Sequence, residues 1–259
     1  SVDLGFKPTK RTWGAEVFPG SSLPNAMVQV SPVTKFHSGA GYQYEDSVIY
    51  GFTHTNKGHW NLCHIPLLPV TGTPTPGDYC SPFSHERESA APGYYQVFLD
   101  RYGVDAQLSS TLRCAFHKYT YPAGAAASLL ADLQRSNEHV RAWDIRKEGD
   151  NVFAGWQQTG EKMYFYAVAN RPVTGIEPVV EGDREVRIVR FGEGDGALEL
   201  RIGFSFVSEK NARENLEAEM LGKSFAEVRS EATATWNDLL GRIRVEGGTE
   251  REKGLFYSS

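Results

Sequence analysis

A change of periodicity near residue 207 constrains this chain more than any other feature. Up to Phe206 the sequence is a series of short β-type runs: Ala26-Met27-Val28-Gln29-Val30, Tyr94-Tyr95-Gln96-Val97-Phe98-Leu99, Tyr164-Phe165-Tyr166-Ala167-Val168 and Val186-Arg187-Ile188-Val189. Leu198-Glu199-Leu200-Arg201-Ile202-Gly203-Phe204 alternates apolar and polar residues, the pattern of a strand with one buried face. Pro76-Gly77-Asp78, Pro92-Gly93 and Glu193-Gly194-Asp195-Gly196 punctuate the runs with turn chemistry. Many short strands joined by loops predict a mostly β fold, a large antiparallel β-sandwich over residues 1–207, rather than alternating βα units. With 40% hydrophobic and 12% aromatic residues among 259, the chain can fill such a core.

From Ser208 onward, residues 208–259 read as a short α-helical linker. Glu209 to Leu221 is rich in Glu, Ala, Asn and Lys and stops at Gly222, a favoured residue just past a helix end. Ser224-Phe225-Ala226-Glu227 is a capping box, in which serine and glutamate reciprocally satisfy first-turn amides. Behind it Phe225, Val228, Ala232, Trp236, Leu239 and Ile243 recur at helical spacing, an apolar stripe that requires a partner surface. Ile243-Arg244-Val245 reads as a strand-like link. Thr249-Glu250-Arg251-Glu252 then opens a further helix that carries Leu255, Phe256 and Tyr257. So short a helix with bulky apolar residues is marginal alone. It either docks back on the sandwich or opens a further, helical domain of a longer protein, and the second reading is preferred.

Several function classes are excluded or weakened. A net charge of −5 and a pI near 5.8 argue against a nucleic-acid partner. No apolar run approaches the ~18–20 residues of a membrane span. Cys63, Cys80 and Cys114 are too few and scattered for a disulfide framework or a zinc ribbon, and an odd count leaves at least one thiol unpaired. Gly-x-Ser-x-Gly, phosphate-loop and dinucleotide patterns do not occur.

Chemistry concentrates in Tyr50-Gly51-Phe52-Thr53-His54-Thr55-Asn56-Lys57-Gly58-His59-Trp60-Asn61-Leu62-Cys63-His64. Three histidines five apart fit neither one helix face nor one strand face, so a metal would need a loop wrapped around it. No carboxylate lies inside the stretch, and hydrogen-bonding histidines are the simpler reading. The same residues suit a sugar. An aromatic ring covers the apolar face of a pyranose while His, Asn, Thr and Lys meet its hydroxyls, although Trp60 could equally be a core residue. Trp13-Gly14-Ala15-Glu16-Val17-Phe18-Pro19-Gly20-Ser21-Ser22 has similar character, or is an N-terminal loop closed onto the sandwich. Glycoside hydrolysis needs two carboxyl groups flanking the scissile bond. Glu45-Asp46, His85-Glu86-Arg87-Glu88 and Asp100 offer carboxylates, but nothing around them separates them from solvated surface acids. The residues show a binding surface and no catalytic pair.

Several strings, in order, resemble glycoside hydrolase family 92, the exo-acting α-mannosidases. They are Phe18-Pro19-Gly20, Met27-Val28-Gln29-Val30-Ser31-Pro32, Gly41-Tyr42-Gln43-Tyr44, Ile49-Tyr50-Gly51-Phe52-Thr53-His54-Thr55, Ser81-Pro82-Phe83-Ser84-His85-Glu86 and Pro92-Gly93-Tyr94-Tyr95. Gly203-Phe204-Ser205-Phe206-Val207-Ser208 with Ala212-Arg213-Glu214-Asn215-Leu216-Glu217-Ala218-Glu219, then Val245-Glu246-Gly247-Gly248-Thr249 and Leu255-Phe256-Tyr257, continue the register.

The resemblance implies an N-terminal sandwich, a helical linker and the start of an (α/α)₆ catalytic barrel. It implies calcium-dependent, inverting hydrolysis of mannose-containing glycans, with the acid, the base and most Ca²⁺ ligands on the barrel. On this reading the chain itself holds no catalytic or metal-ligating residue and is inactive alone. It supplies loops that close one side of the mannose pocket. Carried over by position, Trp60 stacks on sugar, His54 meets a hydroxyl, His59 supports, and Phe18, Gly20 and Glu16 line the same edge. Asn56-Lys57 stands where the family has a second histidine after His-Thr, and Ala15-Glu16-Val17 where His or Asn is common. Both departures lie near the pocket, so no α-1,2 preference carries over. A periplasmic, extracellular or cell-surface location is implied by the same resemblance. The alternative, from a different class, is a free-standing carbohydrate-binding module without catalysis.

Overall fold

The structure is a computed structural model that describes residues 18–58 and 60–258. Two antiparallel sheets share one hydrophobic core. In spatial order the first contains Ser21–Ser22, Gln29–Val33, Gly51–Thr53, Leu67–Val70, Ser128–Ala131, Arg184–Phe191 and Val173–Glu181. The second contains Ala142–Lys147, Val152–Gln158, Lys162–Ala169, Leu198–Ser205, Cys114–Thr120, Val104–Ser110, Tyr94–Leu99 and Glu88–Ala91. Leu198–Ser205 arrives last in the chain yet sits centrally, joining the block 142–169 to the block 88–120.

The alternation seen in the sequence is what fills the core. Along Lys162–Ala169 buried and half-buried residues strictly alternate, sending Met163, Phe165, Ala167 and Ala169 inward. Leu198, Leu200, Ile202 and Phe204 do the same from the neighbouring strand. Each large side chain so enclosed contributes about 1.5–3 kcal/mol relative to exposure. The early run 26–30 is displaced: the strand is Gln29–Val33, because the amides of Met27 and Val28 donate instead to the Leu112 carbonyl at 2.9 and 3.2 Å.

Three helices follow: α1 (Glu209–Glu219), α2 (Phe225–Leu240) and α3 (Glu250–Ser258). The first two form a third layer on the outer face of the second sheet. There Gly203 is indispensable, since a β-carbon on it would lie 2.1 Å from the Ala212 carbonyl oxygen of α1. Phe225 packs edge-on against Phe116 at 5.2 Å between centroids, within a second cluster that includes Tyr94, Leu216 and Val228. Both capping boxes form: Ser224 Oγ accepts from the Glu227 amide and Thr249 Oγ1 from the Glu252 amide, and each glutamate returns the bond. Helix α1 ends at Glu219, two residues before the expected Leu221. The apolar stripe of α2 is covered only in part. Phe225, Val228 and Ala232 are buried and Trp236 donates its indole N–H to the Ser22 carbonyl at 2.8 Å, but Leu239 and Ile243 remain exposed. Ile243-Arg244-Val245 joins neither sheet and is not a strand. No helix among the described residues is long and apolar enough to cross a membrane.

Candidate functional site

Gly20, His54 and Trp60, three of the residues that the sequence singled out, lie at one end of the first sheet and on the hairpin that leaves it. Strand Gly51–Thr53 is wholly buried because Phe52 anchors it, stacked on Tyr119 at 6.3 Å. From Thr53 the chain leaves the sheet into a small hairpin that pairs Asn56–Lys57 with Trp60–Asn61. Trp60 stands 38% exposed on it, which is the accessibility a stacking platform needs. Gly20 belongs to the same end: Ser21 pairs with Val30 and Ser31 with Thr53, so the three strands run side by side. A β-carbon on Gly20 would sit 1.8 Å from the Val30 carbonyl oxygen, so glycine is required there by close approach. Phe18 is half-buried. Glu16 and His59 lie outside the described residues.

His54 is a correction. It is fully buried, and both ring nitrogens are engaged inside the sandwich. The His117–Tyr119 strand supplies the partners, giving one consistent set of neutral tautomers: Tyr119 O–H donates to His117 Nδ1 (2.6 Å), His117 Nε2–H to His54 Nε2 (3.0 Å), and His54 Nδ1–H to the His64 carbonyl (3.4 Å). Burial pushes the His54 pKa down to about 3 and that of His117 well below the ordinary value, with His54 adding repulsion. No atom of the His54 ring is left for a sugar hydroxyl; the pair is a buried polar tie between the two sheets.

His64 occupies a different position. Its Nδ1 is 2.8 Å from Thr55 Oγ1, while its Nε2 lies 3.0 Å from Glu138 Oε2 and 3.1 Å from Thr159 Oγ1. Burial lowers its pKa, against the pull of Glu138. Cys63 and Ile65 on either side adopt φ of +54° and +53°, and His37 nearby adopts +60°. Positive φ at a β-branched residue is rare and strained. The strain is held by long-range bonds. The Ile65 amide donates to Gln157 Oε1 at 2.8 Å, and Ser136 Oγ donates to the Leu62 carbonyl at 2.7 Å.

Beside the hairpin, residues 34–50 wall a cavity of about 520 Å³ that is lined by Phe36, His37, Asp46, Tyr50 and Arg135 among others. The Arg135 guanidinium lies over the Phe36 and Tyr50 rings at 4.4 and 5.0 Å. Of the acids weighed from sequence, Glu45 and Asp46 line this cavity. Glu88 is nearly buried and accepts from Tyr42, Tyr95 (2.6 Å) and His85 (2.6 Å), and Asp100 pairs with Arg87 at 3.2 Å. Glu88 is thereby tied into the packing, whereas the Asp100 pair is exposed. Among the described residues no three His, Cys, Asp or Glu side chains group as a metal site. All three cysteines are free; Cys63 and Cys114 are buried.

Sequence reasoning did not find His117, Asn137, Glu138, Gln157 or Thr159. Each lies 63 or more positions from the residue it bonds, His54, Asn61, His64 or Ile65, and no local pattern marks it.

Residues 8–216 match the N-terminal domain of glycosyl hydrolase family 92, and residues 211–259 match the catalytic domain of that family. The chain belongs to glycosyl hydrolase family 92. The two family regions meet within α1, near the periodicity change in the sequence. A family 92 α-mannosidase from Bacteroides thetaiotaomicron superposes with a TM-score of 0.85 at 26% identity, covering 94% of this chain and 38% of that one. An uncharacterized secreted glycosidase of Arthroderma benhamiae is 24% identical over 288 residues, 91% of this chain and 37% of its own length. A bacterial glucoamylase complexed with acarbose shares the fold alone, with a TM-score of 0.61 at 10% identity over 95% of this chain and 40% of that one. The family 92 chain described here therefore spans well under half the length of the relatives that it matches.

Proposed function

We propose that this chain is the N-terminal substrate-pocket domain of an exo-α-mannosidase that acts on mannose-containing glycans outside the cytoplasm. The observation that carries this reading is the continuous match to both parts of one glycosidase family, with the handover inside a helix packed on the sandwich. The α-mannosidase relative supports the substrate class, and the secreted fungal relative supports the location. Trp60 stacks on the apolar face of a pyranose, and Phe18 and Gly20 shape the neighbouring edge, joined by Glu16 and His59. The acid and base carboxylates and most Ca²⁺ ligands of an inverting mechanism belong to the catalytic domain, and the 259-residue chain alone is inactive.

Titration of the isolated chain with mannose and α-mannobioses, beside an assay of the full-length gene product on the same sugars, tests the reading. Turnover only by the full-length protein, weakened by Trp60→Ala, supports it. Tight sugar binding by the isolated chain with no turnover in either form would instead favour a free-standing binding module.

A further inference from the structure

Trp60 sits on a hairpin with only two paired positions. A two-stranded hairpin is marginal in water, so the direction of Trp60 must be set by what holds the base of the hairpin. That base is Asn61, which is fully buried. Its amide N–H donates to the Gly39 carbonyl at 2.8 Å, its side chain bonds Thr53 and the Cys63 amide, and its carbonyl accepts from Asn137 Nδ2 at 2.6 Å.

Asn137 lies in the crossover between strand Ser128–Ala131 of the first sheet and Ala142–Lys147 of the second. Its carboxamide works as a fork. Nδ2 donates to Asn61, while Oδ1 accepts from the His37 amide at 2.7 Å. Its own amide donates to the Leu62 carbonyl at 3.0 Å. All three partners are main-chain groups, so Asn137 fixes backbone paths. One tine holds the Trp60 hairpin, and the other holds the 34–41 loop at His37, where φ is +60°. An isosteric aspartate could keep the bond from His37 but would set an oxygen against the Asn61 carbonyl.

We propose that Asn137 is a positioning residue for substrate, clamping the Trp60 hairpin and the 34–41 loop into one preformed sugar-facing edge. The inference rests on the reading of Trp60 as a sugar contact. It predicts that loss of the fork raises KM rather than lowering kcat, because the reacting carboxylates lie on another domain.

The test is a double-mutant cycle in the full-length enzyme, with steady-state kinetics on whichever α-mannobiose the wild type cleaves fastest. Asn137→Ala is expected to raise KM about tenfold, the equivalent of 1.4 kcal/mol, with kcat within about twofold. In a Trp60→Ala background the same substitution should add less than about twofold, because its effect passes through Trp60. Asn137→Asp provides the second variant should Asn137→Ala fail to fold, and is expected to raise KM likewise. If Trp60→Ala leaves KM unchanged, the sugar-contact reading falls and takes this inference with it. If Trp60→Ala raises KM but the Asn137 variants do not, or do so equally in both backgrounds, the positioning role alone is overturned.

Discussion

Acid should destabilise this fold from about pH 6.5 downward, through the two histidines inside the sandwich. His54 and His117 are both wholly buried and held as neutral rings by mutual hydrogen bonding. The folded pKa of His54 is about 3, against 6.5 for a free imidazole. A base whose pKa is lowered by folding binds protons preferentially when unfolded. Stability is therefore complete above about pH 6.5 and falls continuously as pH drops toward 3. At pH 5 the unfolded imidazole is largely protonated and the folded one is not, which costs about 2 kcal/mol for one such histidine. His117 shifts in the same direction and adds to that cost, and even the His54 share alone is a large part of a typical 5–15 kcal/mol stability. Guanidinium chloride denaturation at pH 7, 6 and 5 measures it, with the midpoint falling steadily. His117→Phe should reduce the slope while lowering stability at pH 7, because His54 Nε2 then loses its donor. A midpoint that is flat from pH 7 to 5 would refute buried neutral histidines as the tie between the sheets.

Other outcomes follow from the same packing. Gly203→Ala forces a methyl into the Ala212 carbonyl and should cost about 1–3 kcal/mol, with amide exchange accelerating first in α1. Phe225→Ala empties the cluster under α2 and should cost about 3–5 kcal/mol by denaturant titration. Trp60→Ala, by contrast, should leave stability within about 0.5 kcal/mol, since the ring is partly exposed. Of the thiols, half-exposed Cys80 should react quickly with a disulfide reagent in the native state. Cys63, its pKa pushed up to about 12 by burial, and buried Cys114 should react only on unfolding.

Much of the scaffold was legible because it is written locally. The alternation in 198–204 and the run 94–99 became strands at those places, and both capping boxes formed as read. Strand 29–33 was misplaced because the bonds that draw Met27 and Val28 away come from Leu112, far along the chain. His54 was misjudged for the same reason. Its partner His117 is 63 positions away, and a histidine that faces a core reads in sequence like one that faces solvent. The strained φ at Cys63 and Ile65 is invisible in residue type, since neither is glycine; the bonds from Asn61, Gln157 and Ser136 explain how the loop keeps it. Trp60 could be read from its neighbours as a surface ring or a core residue; the hairpin leaves it 38% exposed.

The most direct measurement is a paired assay on an α-mannoside with the folded 259-residue chain and the full-length protein at equal concentration. The account predicts hydrolysis by the full-length protein and none by the isolated sandwich and its helices. Mannose released by the isolated chain would contradict it, because the reactive acids would then have to lie within these 259 residues.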